Sequence, residues 1–381
     1  MGLSRRKTIA TKHRRIKLEH DVVWPLVSKF VTEEARQRAA YSFDAGVGAL
    51  REGAVERAAS LLREAVESDP GFCEGWLALG VALRQLGEVE AVLDSFRRAC
   101  EADPDHAEAW HNLGVACWEA GDRAGALSAL RRAVDLEPGN STSWVAMGVA
   151  LARVDRVDEA TQALRRATDA NPRDPVAWFE LGRVLWKARD LTGAREAFHR
   201  SVEVQPGLGE AWLSLGLLLW QSGQRREAVE TLRRAVGVVP KHFQAWFQLG
   251  LALREEGHRQ EAVEAFRRAV ELDESNSGAW VHLGVTCWEV GNRSCAFRAL
   301  RRAVKVNPRD AKAWYHLGLA SWGSGDAWGA LQAYEHAVEA DPEFAAAWRE
   351  LALVRGKFDD LKGAQEAFER AERLEERTRG R

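Results

Sequence analysis

Cysteine is the residue type in this chain whose spacing could support redox chemistry. The chain has five cysteines in 381 residues, and an odd number does not indicate a disulfide framework. Cys287 and Cys295 lie eight residues apart on two neighbouring predicted helices, so their thiols could approach each other. Cys117 and Cys287 stand where leucine recurs elsewhere in the chain. We therefore expect buried thiols that behave as small core residues, rather than a redox bridge.

Histidine is the second residue type to consider, because its imidazole binds metal ions. His282 and His316 are 34 residues apart and could stack one above the other in a repeating structure. No carboxylate or thiol stands at ligand spacing from them, so we predict surface or partly buried imidazoles and no metal site.

Catalytic motifs are missing from the sequence. It contains no phosphate-binding glycine loop, no G-x-S-x-G and no H-E-x-x-H, the patterns that would indicate nucleotide binding, acyl transfer or metalloprotease chemistry. Charged residues are abundant but scattered. We predict that the chain is not an enzyme and uses no cofactor.

The elements that carry these residues recur with a fixed period. Ten consecutive segments of 34 residues run from Ala39 to Thr378 without an insertion or deletion. Most have tryptophan at position 4, an apolar residue at 7, glycine at 8, alanine at 20 and 27, an aromatic residue or leucine at 24, and proline at 32. The position-4 tryptophans are Trp76, Trp110, Trp144, Trp178, Trp212, Trp246, Trp280, Trp314 and Trp348. This pattern resembles the tetratricopeptide repeat (TPR) family.

The resemblance implies an all-α fold, a right-handed superhelical α-solenoid of ten helix-turn-helix repeats that stabilise one another by stacking. The expected repeats are 39–72, 73–106, 107–140, 141–174, 175–208, 209–242, 243–276, 277–310, 311–344 and 345–378. We assign residues 1–20 to a disordered basic arm, 21–38 to an N-terminal capping helix and 379–381 to a C-terminal tail.

The sixth repeat shows why the pattern favours helix pairs. Leu215 and Leu219 share one helical face. Gly216 permits close approach of a second helix, and Gly223 suits a left-handed helix end. The second helix, about 226–238, should offer Ala228, Leu232 and Ala235 to the first. At the chain's ends the pattern weakens, as expected for capping repeats: Ser42, Ala45, Ala352, Asp359 and Glu376 replace consensus residues.

A second stripe on the first helices, at positions 2, 5, 9 and 12, would line the concave groove of a TPR array. The stripe is apolar here. Position 5 holds Phe179, Leu213, Phe247, Val281 and Tyr315; position 9 holds Leu217, Leu251, Val285 and Leu319; position 12 holds Trp118, Trp186, Trp220, Trp288 and Trp322. Exposed apolar surface of this extent is typical of a binding site. Alternatively, each position-12 tryptophan packs sideways on the next repeat and stiffens the stack.

The resemblance also excludes one TPR role. TPR co-chaperones hold a carboxylate tail with lysine at position 5 and asparagine at positions 6 and 9. Here position 5 is apolar, or His111 or Arg349, and Asn112 is the only groove asparagine. We expect instead a protein or peptide segment with apolar anchors.

Arginine pairs recur at positions 25 and 26, for example Arg233-Arg234 and Arg267-Arg268. Glu230 and Glu264 lie three or four residues before these pairs and should neutralise them on the same helix. An acidic partner surface is the alternative.

Charge is unevenly distributed along a chain of net charge −2. Residues 1–20 carry Arg5, Arg6, Lys7, Lys12, Arg14, Arg15 and Lys17 against a single acidic residue. Such an arm could contact nucleic acid or anionic lipid weakly through phosphates. No apolar stretch is long enough for a membrane span and none follows the basic start, so we expect a cytoplasmic protein.

The sequence therefore predicts a noncatalytic interaction scaffold or assembly adaptor that binds an apolar or amphipathic segment in its groove. The alternative is an adaptor whose basic arm contacts nucleic acid or membrane while the repeats recruit a protein. The array could also self-associate by receiving a neighbour's terminal helix in its groove.

Overall fold

A computed structural model describes residues 31–379. These residues form twenty helices and contain no strand, which confirms the predicted all-α helical solenoid of repeats. By its internal contacts the chain divides into two compact halves, Met1–Asp190 and Leu191–Arg381. In the described range, every helix is too short or too polar to traverse a lipid bilayer.

The N-terminal half contains nine helices within its described part. They are α1 Glu33–Arg51, α2 Val55–Ser68, α3 Cys73–Leu86, α4 Val89–Ala102, α5 Ala107–Glu119, α6 Arg123–Leu136, α7 Ser141–Arg153, α8 Val157–Ala170 and α9 Pro175–Lys187.

The C-terminal half contains eleven helices up to residue 379. They are α10 Leu191–Val204, α11 Gly209–Gln221, α12 Arg225–Val238, α13 Phe243–Glu255, α14 Arg259–Leu272, α15 Ser277–Glu289, α16 Arg293–Val306, α17 Ala311–Gly323, α18 Ala327–Ala340, α19 Ala345–Lys357 and α20 Leu361–Arg379.

Close packing inside a repeat depends on small residues, as the sixth repeat shows. A Cβ on Gly216 would lie 2.8 Å from the side chain of Leu232, so only glycine lets α11 approach α12 this closely. Leu215, Leu219 and Ala228 are buried at this contact. Gly223 has φ of 78°, the left-handed conformation expected at the end of α11.

The position-4 tryptophans join consecutive repeats within each half. The Trp246 indole N–H donates to the carbonyl oxygen of Pro240, 2.9 Å away, in the segment that ends the preceding repeat. Eight other tryptophans make the equivalent bond to a carbonyl six residues upstream: Trp76, Trp110, Trp144, Trp178, Trp212, Trp280, Trp314 and Trp348. Repeats are thus linked by a directed hydrogen bond as well as by apolar contact.

The first described helix begins earlier than we expected. Thr32 caps α1 by accepting the Ala35 N–H at 3.2 Å, and α1 then runs unbroken from Glu33 to Arg51. Residues 33–38 therefore belong to the first helix of the first repeat rather than to a separate capping helix, because no helix-breaking residue divides them from it. The remainder of that segment, 21–30, and the basic arm, 1–20, lie outside the described residues.

The last repeat leaves apolar side chains exposed. Phe368 is 47% exposed, whereas the phenylalanines at the same repeat position elsewhere, Phe96, Phe198 and Phe266, are completely buried. Leu353 is 58% exposed. With Glu376 in place of the closing proline, α20 continues to Arg379.

Candidate partner-binding groove

Position 5 contributes less to an accessible groove than the sequence indicated. Phe179, Leu213 and Val281 are each only 8% exposed, so our expectation that they form exposed groove surface was wrong. Phe247 and Tyr315 are half-buried. The Phe247 ring lies 5.9 Å from Phe266 of its own repeat and 5.4 Å from His282 of the next. Position 5 therefore belongs mainly to the packing between helices.

Position 9 supplies the accessible apolar stripe. Leu217, Leu251, Val285 and Leu319 are all half-buried in the C-terminal half. Leu217 and Leu251 pack on one edge against the core and keep the other edge accessible. Between them they offer aliphatic anchor points one repeat apart.

The position-12 tryptophans are half-buried as well. Trp118, Trp186, Trp220, Trp288 and Trp322 all fall in this class. A Cβ on Gly323 would come within 2.6 Å of the Trp288 ring, so this indole packs against the following repeat. Trp288 therefore packs sideways on the next repeat, as the alternative interpretation of these tryptophans predicted, while part of its surface stays accessible.

Cations cover several of these indoles. The Arg225 guanidinium lies 3.8 Å from the Trp220 ring centroid, within cation–π range. In other repeats the cation comes from the next first helix: Arg153 lies 5.8 Å from Trp118, and the Lys357 ammonium lies 4.9 Å from Trp322. The groove edge thus alternates tryptophan faces with positive charge.

Two repeats have arginine at position 12, where five others have tryptophan, and our sequence reasoning missed this substitution. Arg254, at position 12 of the seventh repeat, has Nη1 3.2 Å from His282 Nδ1 and Nε 3.7 Å from Glu289. Arg84 of the second repeat likewise lies 3.6 Å from Glu119. The signal was present in the sequence, because both arginines share the tryptophan's repeat position.

His282 is held in its neutral form. Burial, and then the positive charges of Arg254, His316 and Lys312, lower its pKa to about 4. Its ring stacks on Phe266 at 5.5 Å. Burial also lowers the pKa of His316. Across residues 31–379, no group of three or more histidine, cysteine or acidic side chains is placed to hold a metal ion.

The cysteines correct one expectation. Cys287 and Cys295 form a disulfide with Cα atoms 5.8 Å apart, so the prediction of two buried thiols was wrong for this pair. The reason is local: positions 11 and 19 of one repeat face each other across α15 and α16, and only this repeat has cysteine at both. Cys73, Cys100 and Cys117 are buried thiols, as expected. Burial raises the pKa of Cys73 and Cys100 to about 12, which makes them unreactive.

The arginine pairs are neutralised in part as predicted. Arg233 pairs with Glu230 at 2.8 Å on its own helix and with Glu261 of the next repeat at 2.6 Å. Arg267 pairs with Glu264 at 2.9 Å. Of the second members, Arg268 pairs with Glu271, three residues away on the same helix, as predicted. Arg234 differs from our expectation, since it lies over the Trp212 ring.

Sequence profiles of known families match most of the described chain. One profile, described as a tetratricopeptide repeat, matches residues 43–105, 77–141 and 283–340, and a second of the same description matches 118–181. A third, the TPR domain of cytochrome c-type biogenesis protein H, matches 155–272. The chain belongs to the tetratricopeptide repeat family. The TPR assignment agrees with the helix pairs, the left-handed turns and the tryptophan links described above.

One solved structure of a TPR protein shares the fold, and two others align less closely. The C-terminal part of a TPR repeat-containing protein from Cytophaga hutchinsonii aligns with a TM-score of 0.55 at 12% identity, covering 63% of this chain and 99% of that one. PilF of Pseudomonas aeruginosa aligns with a TM-score of 0.49 at 20% identity, covering 56% and 97%. YrrB, described as a TPR protein with an unusual peptide-binding site, aligns at 0.44 and 24% identity, covering 49% and 97%. No curated protein matches the sequence.

This chain is a protein–protein interaction scaffold by its family, and proteins of the TPR family are typically noncatalytic. The partner-binding role of the groove residues and of the basic arm remains a prediction. All seven cations of the arm lie outside the described residues.

Proposed function

We propose that this TPR protein is a noncatalytic scaffold or assembly adaptor that binds an apolar or amphipathic peptide segment along its first helices. The observation that carries the proposal is the row of half-buried aliphatic side chains at position 9 beside the position-12 tryptophans. An amphipathic helix places anchors at spacings of three, four and seven residues, which suits a row of separated apolar contacts. Its polar face would remain in water.

The C-terminal half offers the more continuous part of this surface. Leu217 with Trp220, Val285 with Trp288, and Leu319 with Trp322 each lie three residues apart on one helix, and so share a face. Rigid aromatic groups beside aliphatic anchors are typical of the energetic centre of an interface. No lysine and asparagine clamp accompanies them, which favours apolar anchoring over capture of a carboxylate tail.

Three lysine substitutions at position 9 test the proposal: Leu217→Lys, Leu251→Lys and Leu319→Lys in one variant. These side chains are half-buried, so the lysine stems can reach water while their charges interrupt the apolar stripe. We expect partner affinity to fall at least about tenfold. The matched control carries Val204→Lys, Leu272→Lys and Leu361→Lys, which replace exposed apolar residues of the second helices.

A photocrosslinking amino acid at position 251 identifies the partner directly. The same group at position 272 serves as the control. Partner adducts from position 251 alone support the groove, whereas adducts from position 272 alone would move the binding site to the second helices. Both proteins should first give the helical circular dichroism of the wild type.

The basic arm supports a second candidate function. Its seven basic residues against one acidic residue would bring the scaffold to nucleic acid or an anionic membrane through phosphate contacts. Deletion of residues 1–20 should then abolish salt-sensitive binding to anionic vesicles or DNA while protein partners stay bound. If the deletion leaves binding to anionic vesicles and to DNA unchanged, this candidate function is excluded. A cytoplasmic location and self-association also remain proposals.

A further inference from the structure

The second helix of the eighth repeat, α16, differs in charge from its neighbours. It carries Arg293, Arg298, Arg301, Arg302 and Lys305 and no acidic residue. On one side, α14 balances three arginines with three glutamates. On the other side, α18 has glutamates and no lysine or arginine. Among these three second helices, only α16 therefore has an excess of positive charge.

Three of the cations on α16 are unbalanced. Arg302 pairs with Glu274 of the preceding repeat at 2.8 Å, and Arg293 lies over the Trp288 ring. Arg298, Arg301 and Lys305 are exposed and form no ion pair with any described residue. Arg301 has a ring contact only, 5.9 Å from Phe297. Because these three cations have no ion pair, they are available to bind an anionic group of another molecule.

These cations surround a cleft of about 560 Å³ between α14 and α16. Trp280, Val270, Leu283 and Ala299 give the cleft apolar walls. Its volume lies within the range of sites that accept a large side chain or a small ligand. The cleft lies between two second helices and has Trp280 and Leu283 of the first helix α15 in its wall. None of its lining residues is at position 9 or 12, so it shares no side chain with the proposed groove.

The two carboxylates in the cleft wall are already occupied. Glu271 pairs with Arg268 at 2.9 Å and Glu274 pairs with Arg302. The main-chain carbonyl of Glu274 also accepts the Trp280 indole N–H at 3.0 Å. The charged groups of the cleft that remain without an ion pair are therefore cations. The walls of the cleft are apolar.

We propose that this cleft binds an acidic segment of a partner protein. A large apolar side chain of that segment enters between Trp280 and Leu283, and flanking carboxylates pair with Arg298, Arg301 and Lys305. A nucleic acid strand fits less well, because phosphate binding needs cations along a track, and the second helices on either side, α14 and α18, carry no excess positive charge. The proposal does not depend on the groove being a binding site.

The test uses the full chain and a displayed library of random short peptides. Peptides that bind the wild type are selected first, and those that also bind the variant R298E/R301E/K305E are then removed. We expect the remaining peptides to be rich in aspartate and glutamate around one large apolar residue. A selected peptide should bind the wild type about tenfold or more tighter than the variant, and binding should weaken as salt is raised.

A matched control separates a specific site from general electrostatics. The variant R165E/R166E/R173E reverses three exposed arginines, none of which has an ion pair among the described residues. It should bind the selected peptides as the wild type does. Equal weakening in both variants, a pool without acidic enrichment, or unchanged affinity after the apolar residue is replaced by serine would each overturn the proposal. Tighter binding of single-stranded DNA, lost in R298E/R301E/K305E, would also overturn it by assigning the cleft to nucleic acid.

Discussion

Tyr334 places a polar atom where the other repeats have none. Its side chain is completely buried, and its hydroxyl has no hydrogen-bond partner within the described residues. The residues at the same position in three other repeats are Phe96, Phe198 and Phe266. Burial also raises the pKa of the Tyr334 hydroxyl, so it stays protonated. A desolvated, unpaired hydroxyl reduces the free energy of unfolding.

We therefore expect Tyr334→Phe to stabilise the protein by about 1 kcal/mol. Urea unfolding followed by circular dichroism measures the difference. Tyr41→Phe is the control, because Tyr41 is 78% exposed and its hydroxyl is solvated. A destabilised Tyr334→Phe would mean that the hydroxyl has an ordered water as its partner.

His282 makes stability depend on pH. Its folded pKa of about 4 lies below the unfolded value of 6.5, so the unfolded chain binds a proton more readily. The stability due to neutral His282 is complete above about pH 6.5 and declines as the pH falls towards 4.

His282→Gln tests this pH dependence with the residue that the preceding repeat has at the same position, Gln248. The unfolding midpoint of the variant should fall less steeply than that of the wild type between pH 7 and about 4. Parallel profiles for wild type and His282→Gln would contradict the prediction.

At the scale of the element, the turn between the two helices of a repeat requires a left-handed residue. Seven repeats use glycine, and three use Asp155, Arg189 or Asp359, with φ between 60° and 67°. No atom lies within 4 Å of a Cβ added at Gly223. The cost of a side chain at this position is therefore conformational rather than steric contact with neighbours.

Arg189→Gly should accordingly stabilise the protein by about 1 kcal/mol, and Gly223→Arg should destabilise it by a similar amount. Thermal unfolding of both variants against the wild type measures the two effects. Changes of the same sign in both variants would show that backbone conformation does not decide stability here.

Much of each element could be predicted from the sequence, because spacing determines which residues share a helical face. Gly216 and Gly223 are where close packing and the helix end require glycine. The burial of Phe179 could not be read from spacing, since it depends on which neighbouring helix covers the side chain. The disulfide was missed for a similar reason. The sequence indicated that the thiols of Cys287 and Cys295 could approach, but not that the two positions face each other closely enough for a bond.

The position-4 tryptophan has a role that periodicity alone did not reveal, and it can be tested. Trp246→Phe keeps an aromatic ring but removes the N–H that donates to the Pro240 carbonyl. We expect a loss of about 1 kcal/mol in stability, the net worth of one hydrogen bond. Trp328→Phe is the control, since Trp328 is 60% exposed and makes a ring contact with Phe358. Equal losses in both would assign the effect to ring size.

At the scale of the whole molecule, the contacts are those of a repeat array, in which each repeat depends on its neighbours. The 34-residue period also indicates which segment can be deleted while the remaining repeats stay in register. Without residues 243–276, Trp280 would stand in place of Trp246, six residues after the Pro240 carbonyl. We expect this deletion to leave a folded helical protein with a lower unfolding midpoint.

Deletion of residues 259–276 is the control for the missing repeat, because it removes a second helix alone and leaves α13 facing α15 directly. That protein should lose cooperative unfolding, as measured by circular dichroism during heating. If both deletions unfold alike, the repeat is not the unit of stability. How strongly each repeat is coupled to the next could not be derived from the sequence, because that coupling depends on packing between helices.

The tryptophan link has a consequence for how fast and in what order the chain folds. Each indole N–H reaches a carbonyl only six residues upstream, so a repeat can dock as soon as its predecessor has formed. Proteins dominated by such local contacts have low contact order and fold quickly. On the ribosome, the array can therefore assemble repeat by repeat from its N-terminal end while synthesis continues, with one unfinished apolar edge exposed at any moment.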